Sequence, residues 1–131
     1  MSDTTTLDAQ ALATTIDTYL EAYGETDAAR RGELIAEVWA ADGRLADPPF
    51  EGEGHDGISA LSDVVFEHFP GHSFRRTSGI DAHHGIARYG WELVGPDGAV
   101  AVGGVDIAEV GADGRLTRVT GFFGDLPPRD A

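Results

Sequence analysis

Three polar residues stand where their local patterns do not require them. Asp106 lies in the middle of Val102-Gly103-Gly104-Val105-Asp106-Ile107-Ala108, which otherwise reads as a strand, and aspartate is depleted in strands. By alternation it shares a face with Val100, Val102, Ala108 and Val110. A carboxyl buried on such a face without a charged partner has a raised pKa and keeps its proton. A carboxylate at a bulge or strand edge, or one paired with an arginine, explains the same residue differently. Asp47 closes a short strand just before Pro48-Pro49, and taken alone it is a turn residue, since Asp-Pro is a common turn signal. Tyr19 falls in an apolar helical stripe, and taken alone it is a core tyrosine with its hydroxyl at the edge. Together the three are groups that can serve as acid, base or hydrogen-bond donor, which is what proton-transfer chemistry requires.

Other chemistries find less support. Cysteine is absent, which excludes disulfides, thiol catalysis and thiolate metal sites. The five histidines show no metal-site spacing. His83 and His84 are adjacent at a strand end, so their side chains are expected to diverge, and His55, His68 and His72 lie in or beside the third helix. No metal and no cofactor is expected. Arg75, Arg76, Arg88 and Arg118 are expected to pair with surface carboxylates.

The elements that must position these residues follow from periodicity. Leu12, Ile16, Tyr19, Leu20 and Tyr23 form one stripe of an amphipathic helix, with Thr6 or Asp8 as its cap and Gly24 as its end. A second helix carries Leu34, Ile35, Val38 and Trp39 on one face and closes at Gly43. Arg44 to Asp47 reads as a short strand and Glu51 to Gly57 as a glycine-rich loop. A third helix, capped by Asp56, carries Ile58, Leu61, Val64, Val65 and Phe69, and Pro70-Gly71 breaks it. Beyond residue 71 the period becomes two. Strands fit Ser73 to His83, Ile86 to Val94, Ala99 to Val110 and Arg115 to Phe123, with glycine-rich turns at 95–98 and 111–114. Three helices followed by a four-stranded meander predict an α+β fold. A curved, mainly antiparallel sheet wraps the helices as a cone-like barrel with a pocket at its wide mouth.

Composition sets the outer bounds. At 131 residues the chain is read as a single domain spanning 1–131, and 41% hydrophobic residues are ordinary for a globular protein. No apolar run reaches the length of a membrane span. Met1 to Thr6 is polar and lacks a signal core, so a cytoplasmic location is expected. The formal net charge is −14, and the nine fixed cations are all arginine. Such a surface repels nucleic acid and anionic membranes. The acidity serves solubility in the plainer reading and high-salt adaptation in the sharper one.

The trio, by spacing and context, resembles the ketosteroid isomerase branch of the nuclear-transport-factor-2-like superfamily. The matching features are Thr18-Tyr19-Leu20-Glu21-Ala22-Tyr23 on the first helix, Leu45-Ala46-Asp47-Pro48, Gly104-Val105-Asp106-Ile107, and Gly114-Arg115-Leu116 leading to Phe122-Phe123-Gly124. The likeness runs from about Leu7 to Leu126. It implies Asp47 as base and Tyr19 and Asp106 as oxyanion donors. Tyr89, Trp91 and Phe123 would line an apolar slot, with Phe50, Phe69 and Val102 as further walls. The family's auxiliary tyrosine on helix 3 would fall near Val65, which donates no hydrogen bond. Plain core packing accounts for the same aromatics. Glycine at 104 breaks the Arg-x-Asp pair of limonene epoxide hydrolase relatives, which lowers epoxide hydrolysis.

The resemblance implies a small cofactor-independent isomerase acting on an apolar ketone. A SnoaL-like cyclase, or a non-catalytic ligand-binding or dimerisation module, is the alternative, because one fold hosts many functions. The partners expected are a small apolar molecule and a second copy of the chain. That copy would meet a sheet face bearing Arg88, Glu92, Ile107, Glu109 and Val119.

Overall fold

The apolar stripe of the N-terminal segment buries Ile16, Tyr19, Leu20 and Tyr23, as a 3.6-residue period requires. The computed structural model describes residues 2–130, with side chains described from residue 9 onward. The first helix, α1, runs Ser2–Tyr23. It therefore contains Thr6 and Asp8, the expected caps, whose side chains lie outside the described residues. It ends at Gly24, whose N–H donates to Leu20 O at 3.3 Å.

The second helix, α2 (Ala28–Val38), is capped by Asp27, which accepts from the Ala29 N–H. It stops earlier than expected. Trp39 already opens strand β1 (Trp39–Asp47), so Gly43 lies within a strand rather than closing a helix. The buried Trp39 indole lies edge-on to Tyr19 at 5.6 Å, a contact that its place on the second helix's stripe does not reveal. The supposed loop after Pro48-Pro49 is largely ordered as β2 (Phe50–Glu53), hairpin-paired with β1, and α3 (Gly54–His68) follows at once. Glu53, not Asp56, takes the N-cap position, and it makes no side-chain cap bond.

The expected strand from Ser73 to His83 is two strands, β3 (Ser73–Arg76) and β4 (Asp81–His83), both antiparallel to β5 (Ile86–Val94). Strands β6 (Val100–Val110) and β7 (Leu116–Phe123) complete the antiparallel run. The sheet has seven strands, where the sequence predicts a short first strand and a four-stranded meander, in the order β2-β1-β7-β6-β5-β3, with β4 also on β5. β1 runs parallel to β7, so the sheet is mixed. It is curved and unclosed around the helices, and the fold is α+β.

Two bulges redirect side chains that strict alternation assigns otherwise. Between Glu109 and Val110 the register with β7 shifts so that Leu116 and Val119 both point into the core. Val119, expected on the outer face, is fully buried beside Leu45 and Ala108. The shift between Leu93 and Val94 leaves Val100 exposed instead of on Asp106's face. The turn at His84, whose φ is 52°, brings the two histidines together: His83 Nδ1 and His84 Nδ1 lie 3.0 Å apart.

Arg31 ties α2 to α3. Its guanidinium is buried and donates to Ser59 Oγ at 2.8 Å, Glu25 O at 2.9 Å and Asp63 Oδ1 at 3.0 Å. Asp63 remains exposed, so its ion pair is screened while the backbone and hydroxyl bonds are not. We expect Arg31→Ala to destabilise the fold by about 2–3 kcal/mol and Asp63→Ala by about 1 kcal/mol or less, as hydrogen bonds to charge and exposed pairs respectively predict. Urea unfolding of the two variants checks the order.

Candidate active site

Register alone builds a row of residues across the sheet. Asp106 on β6 pairs with Tyr89 on β5 and Gly121 on β7. Ala46 on β1 pairs with Thr120, so Asp47 comes next to Gly121. Cross-strand neighbours share a face, and the concave face therefore carries Asp47, Gly121, Asp106 and Tyr89 in one line. Glycine in mid-strand leaves the line open at one point. A Cβ on Gly121 would collide with Asp47 Oδ1 and come within 3.1 Å of Asp106 Oδ1. The two carboxyl groups thus lean toward each other over a bare backbone.

Tyrosines hold both from the outside. Tyr89 donates to Asp106 Oδ2 at 2.9 Å, and Tyr23 of α1 donates to Asp47 Oδ2 at 2.7 Å. Asp47 Oδ1 is buried without a hydrogen bond. Tyr19, one helical turn before Tyr23, is fully buried among the same groups and makes no side-chain hydrogen bond among the described residues. The Trp91 indole N–H lies close enough to Asp106 to favour its ionised form, yet without hydrogen-bond alignment, and Nε1 is unpaired.

The two acids differ in proton affinity. Burial, then the charge of Asp47, pushes Asp106 up to about 8, against the opposing pull of Tyr89 and Trp91. Burial also raises Asp47, but the Tyr23 hydrogen bond pulls it back down. The three tyrosines are raised, mainly by burial, so they remain neutral donors. Among the described residues no cation faces the pair, and the charge that bears on Asp106 is that of the Asp47 carboxyl. Near neutral pH one acid keeps its proton and the other is held ready to accept one.

The expected slot residues separate into groups. Trp91 meets Phe123 edge-on at 5.7 Å, and the two pair across Gly104, where a Cβ would strike the Phe122 carbonyl. Phe50 and Phe123 stand about half exposed beside the β1–β2 turn and at the end of β7. Phe69 is at the end of α3 against His72, while Val65 and Val102 pack at the margin of the core. Tyr89, expected as a wall, touches Asp106 as a donor instead. Two residues escaped sequence reasoning. Tyr23 shares Tyr19's stripe at i+4, and Gly121 interrupts a strand, which often marks close approach of another group.

The space around the dyad is tight. A crevice lined by Tyr19, Tyr23, Trp39 and Ser62 is too narrow for a water molecule. Larger grooves of about 630 Å³, between α1 and β4–β5, and about 480 Å³, between α1 and β3, are not lined by either aspartate. Asp106 binds its proton more tightly folded than unfolded, where the ordinary value is 3.8. Its contribution is therefore intact below about pH 4 and falls as pH rises toward about 8, by up to about 1.4 kcal/mol per pH unit. Chemical unfolding across that range should lose this slope in Asp106→Asn.

No protein-family profile and no curated protein matches the chain, but solved structures do. A SnoaL-like protein from Agrobacterium tumefaciens is 35% identical, with a TM-score of 0.81 over 88% of this chain and 99% of that one. A structure from Jannaschia, provisionally named a SnoaL-like polyketide cyclase, is 19% identical, with a TM-score of 0.68 over 87% and 85%. A Catenulispora acidiphila protein of ketosteroid isomerase-like fold, in complex with trimethylamine, is 13% identical, with a TM-score of 0.68 over 84% and 85%. The last two share the fold alone. The chain shares its fold with a nuclear-transport-factor-2-like protein from Exiguobacterium, at 19% identity and a TM-score of 0.66 over 86% and 99%, and the identity and near-complete coverage of the Agrobacterium protein show that it belongs to the SnoaL-like family.

Proposed function

We propose that the chain is a cofactor-independent enzyme that moves a proton on an apolar ketone. The observation that carries this reading is the pair of adjacent buried carboxyls with unequal proton affinity, ringed by neutral tyrosines. Pairs of titratable groups whose surroundings push their pKa values apart mark the acid and base of a reaction. The Agrobacterium relative is provisionally named an isomerase, which fits.

In this reading the substrate is a β,γ-unsaturated ketone that enters past the exposed Phe50 and Phe123 rim, and the Phe123 ring must swing off Trp91, which it meets edge-on, to admit it. Asp47 takes the proton from the carbon between alkene and carbonyl. The C–H electron pair forms the new carbon–carbon double bond of a dienolate, and the carbonyl oxygen takes the negative charge. Tyr19 and protonated Asp106 donate hydrogen bonds to that oxygen. Asp47 then returns the proton at the far end of the dienolate, which restores the ketone. A polyketide cyclisation uses the same first step, with the enolate carbon attacking a second carbonyl of its own chain.

Asp47→Asn removes the base, and turnover of a Δ5-3-ketosteroid should fall by about 10²–10⁴-fold. Tyr19→Phe removes one donor and should cost about 10²–10³-fold. Asp106→Asn keeps a donor and should be milder than Asp106→Ala. The rate should rise with pH as Asp47 ionises and fall above about 8 as Asp106 loses its proton; Asp106→Asn should abolish the alkaline limb. Wild-type turnover no faster than buffer would end the isomerase reading.

A homodimer accompanies this proposal. Val105 and Phe122 are cross-strand partners, both exposed, on the sheet face opposite the dyad. Arg88 and Glu92 of β5 flank them on the same face, which gives an apolar centre with a polar rim. Light scattering at micromolar concentration should give twice 13.8 kDa; the monomer mass would contradict it.

A further inference from the structure

We infer that Tyr23 is a positioning residue and Gly121 the opening it works against, so that Asp47 Oδ1 alone serves as the proton-accepting atom. This rests on the isomerase or cyclase reading of the same dyad. The two oxygens of Asp47 have different surroundings. Oδ2 accepts from the Tyr23 hydroxyl at 2.7 Å, while Oδ1 is buried with no partner and lies over Gly121 beside Asp106 Oδ1. A buried acceptor left open forfeits a hydrogen bond unless a ligand supplies one.

The Tyr23 ring is itself fixed. It stacks on Phe74 of β3 at 4.5 Å with an interplanar angle of 16° and lies 5.9 Å from Tyr19. A carboxylate anchored by one oxygen to a clamped ring cannot rotate freely about its terminal bond. Gly121 supplies the space that the other oxygen occupies, since a Cβ there would meet it. A substrate carbon whose carbonyl is held at Asp106 then meets Oδ1 and not Oδ2. Nothing in this requires Tyr23 to touch the substrate.

Two measurements test it, and neither needs turnover. Tyr23→Phe keeps the stacked ring and removes the donor. In protein carrying carboxyl-13C aspartate, the Asp47 signal should titrate at higher pH than in wild type, because the bond favouring its ionised form is gone. If the enzyme turns over ketones, the acid limb should move up with it, with kcat down about 10-fold and KM little changed, as expected for one lost bond to a charged group. An unmoved Asp47 titration overturns the inference. The second measurement is a thermal-stability cycle. Gly121→Ala should lower Tm more in wild type than in Asp47→Ala, where only the 3.1 Å approach to Asp106 Oδ1 remains. Equal losses in both backgrounds place the carboxyl elsewhere and overturn it, also where Tyr23→Phe fails to fold. If no ketone is turned over, the isomerase reading fails while both measurements still decide the position of Oδ1.

Discussion

Two carboxyl groups held side by side, one buried and one largely so, with no cation facing them among the described residues, are the constraint around which this fold is arranged. Burying isolated charge is costly, and two like charges in contact are worse. The structure meets the problem unequally. Asp106 lies deep on the sheet with Tyr89 and keeps its proton. Asp47, at a strand end and partly exposed, takes a strong bond from Tyr23 and ionises more readily. Glycine at 121 makes the closeness sterically allowed at an intrinsic cost of roughly 0.5–1 kcal/mol in a strand. Each helix and strand near the site can be read as supplying a donor, a space or a dry wall for this pair.

The aromatic side chains are the dry wall. Contacts run from Phe123 to Trp91, Phe74, Tyr23, Tyr19 and Trp39, each ring within 6 Å of the next. The chain of rings joins β7, β5, β3, α1 and β1, so the sheet and the first helix are locked through the residues that bound the dyad. Low polarity there strengthens every hydrogen bond and raises the cost of any unpaired one. Stability and the proposed chemistry therefore draw on the same side chains.

How far this was legible in the sequence depends on the residue. Asp106 could be found because aspartate is out of place in a strand, and β5 alternates cleanly from Ala87 to Leu93. Tyr23 could not be assigned a role, since a tyrosine on an apolar stripe looks like core until its hydroxyl is placed against Asp47. Trp39 continues the apolar stripe of α2 and so reads as helical, although its backbone is the start of β1. Strict alternation puts Val119 and Val100 on the wrong faces, because a bulge changes a strand's phase without changing its composition. The parallel pairing of β1 with β7 is a long-range contact that no local pattern carries.

Folds of this kind host unrelated activities, so the dyad and not the fold must carry the functional claim. Binding of a planar phenol, which imitates the dienolate, tests that claim most directly. In a crystal structure of the complex, the phenolic oxygen should sit within hydrogen-bond distance of Tyr19 Oη and Asp106, with Phe123 displaced from Trp91 to admit the ring and Asp47 Oδ1 facing it. A phenol bound instead in the groove between α1 and β4–β5, or an oxygen turned away from Asp106, would contradict the account.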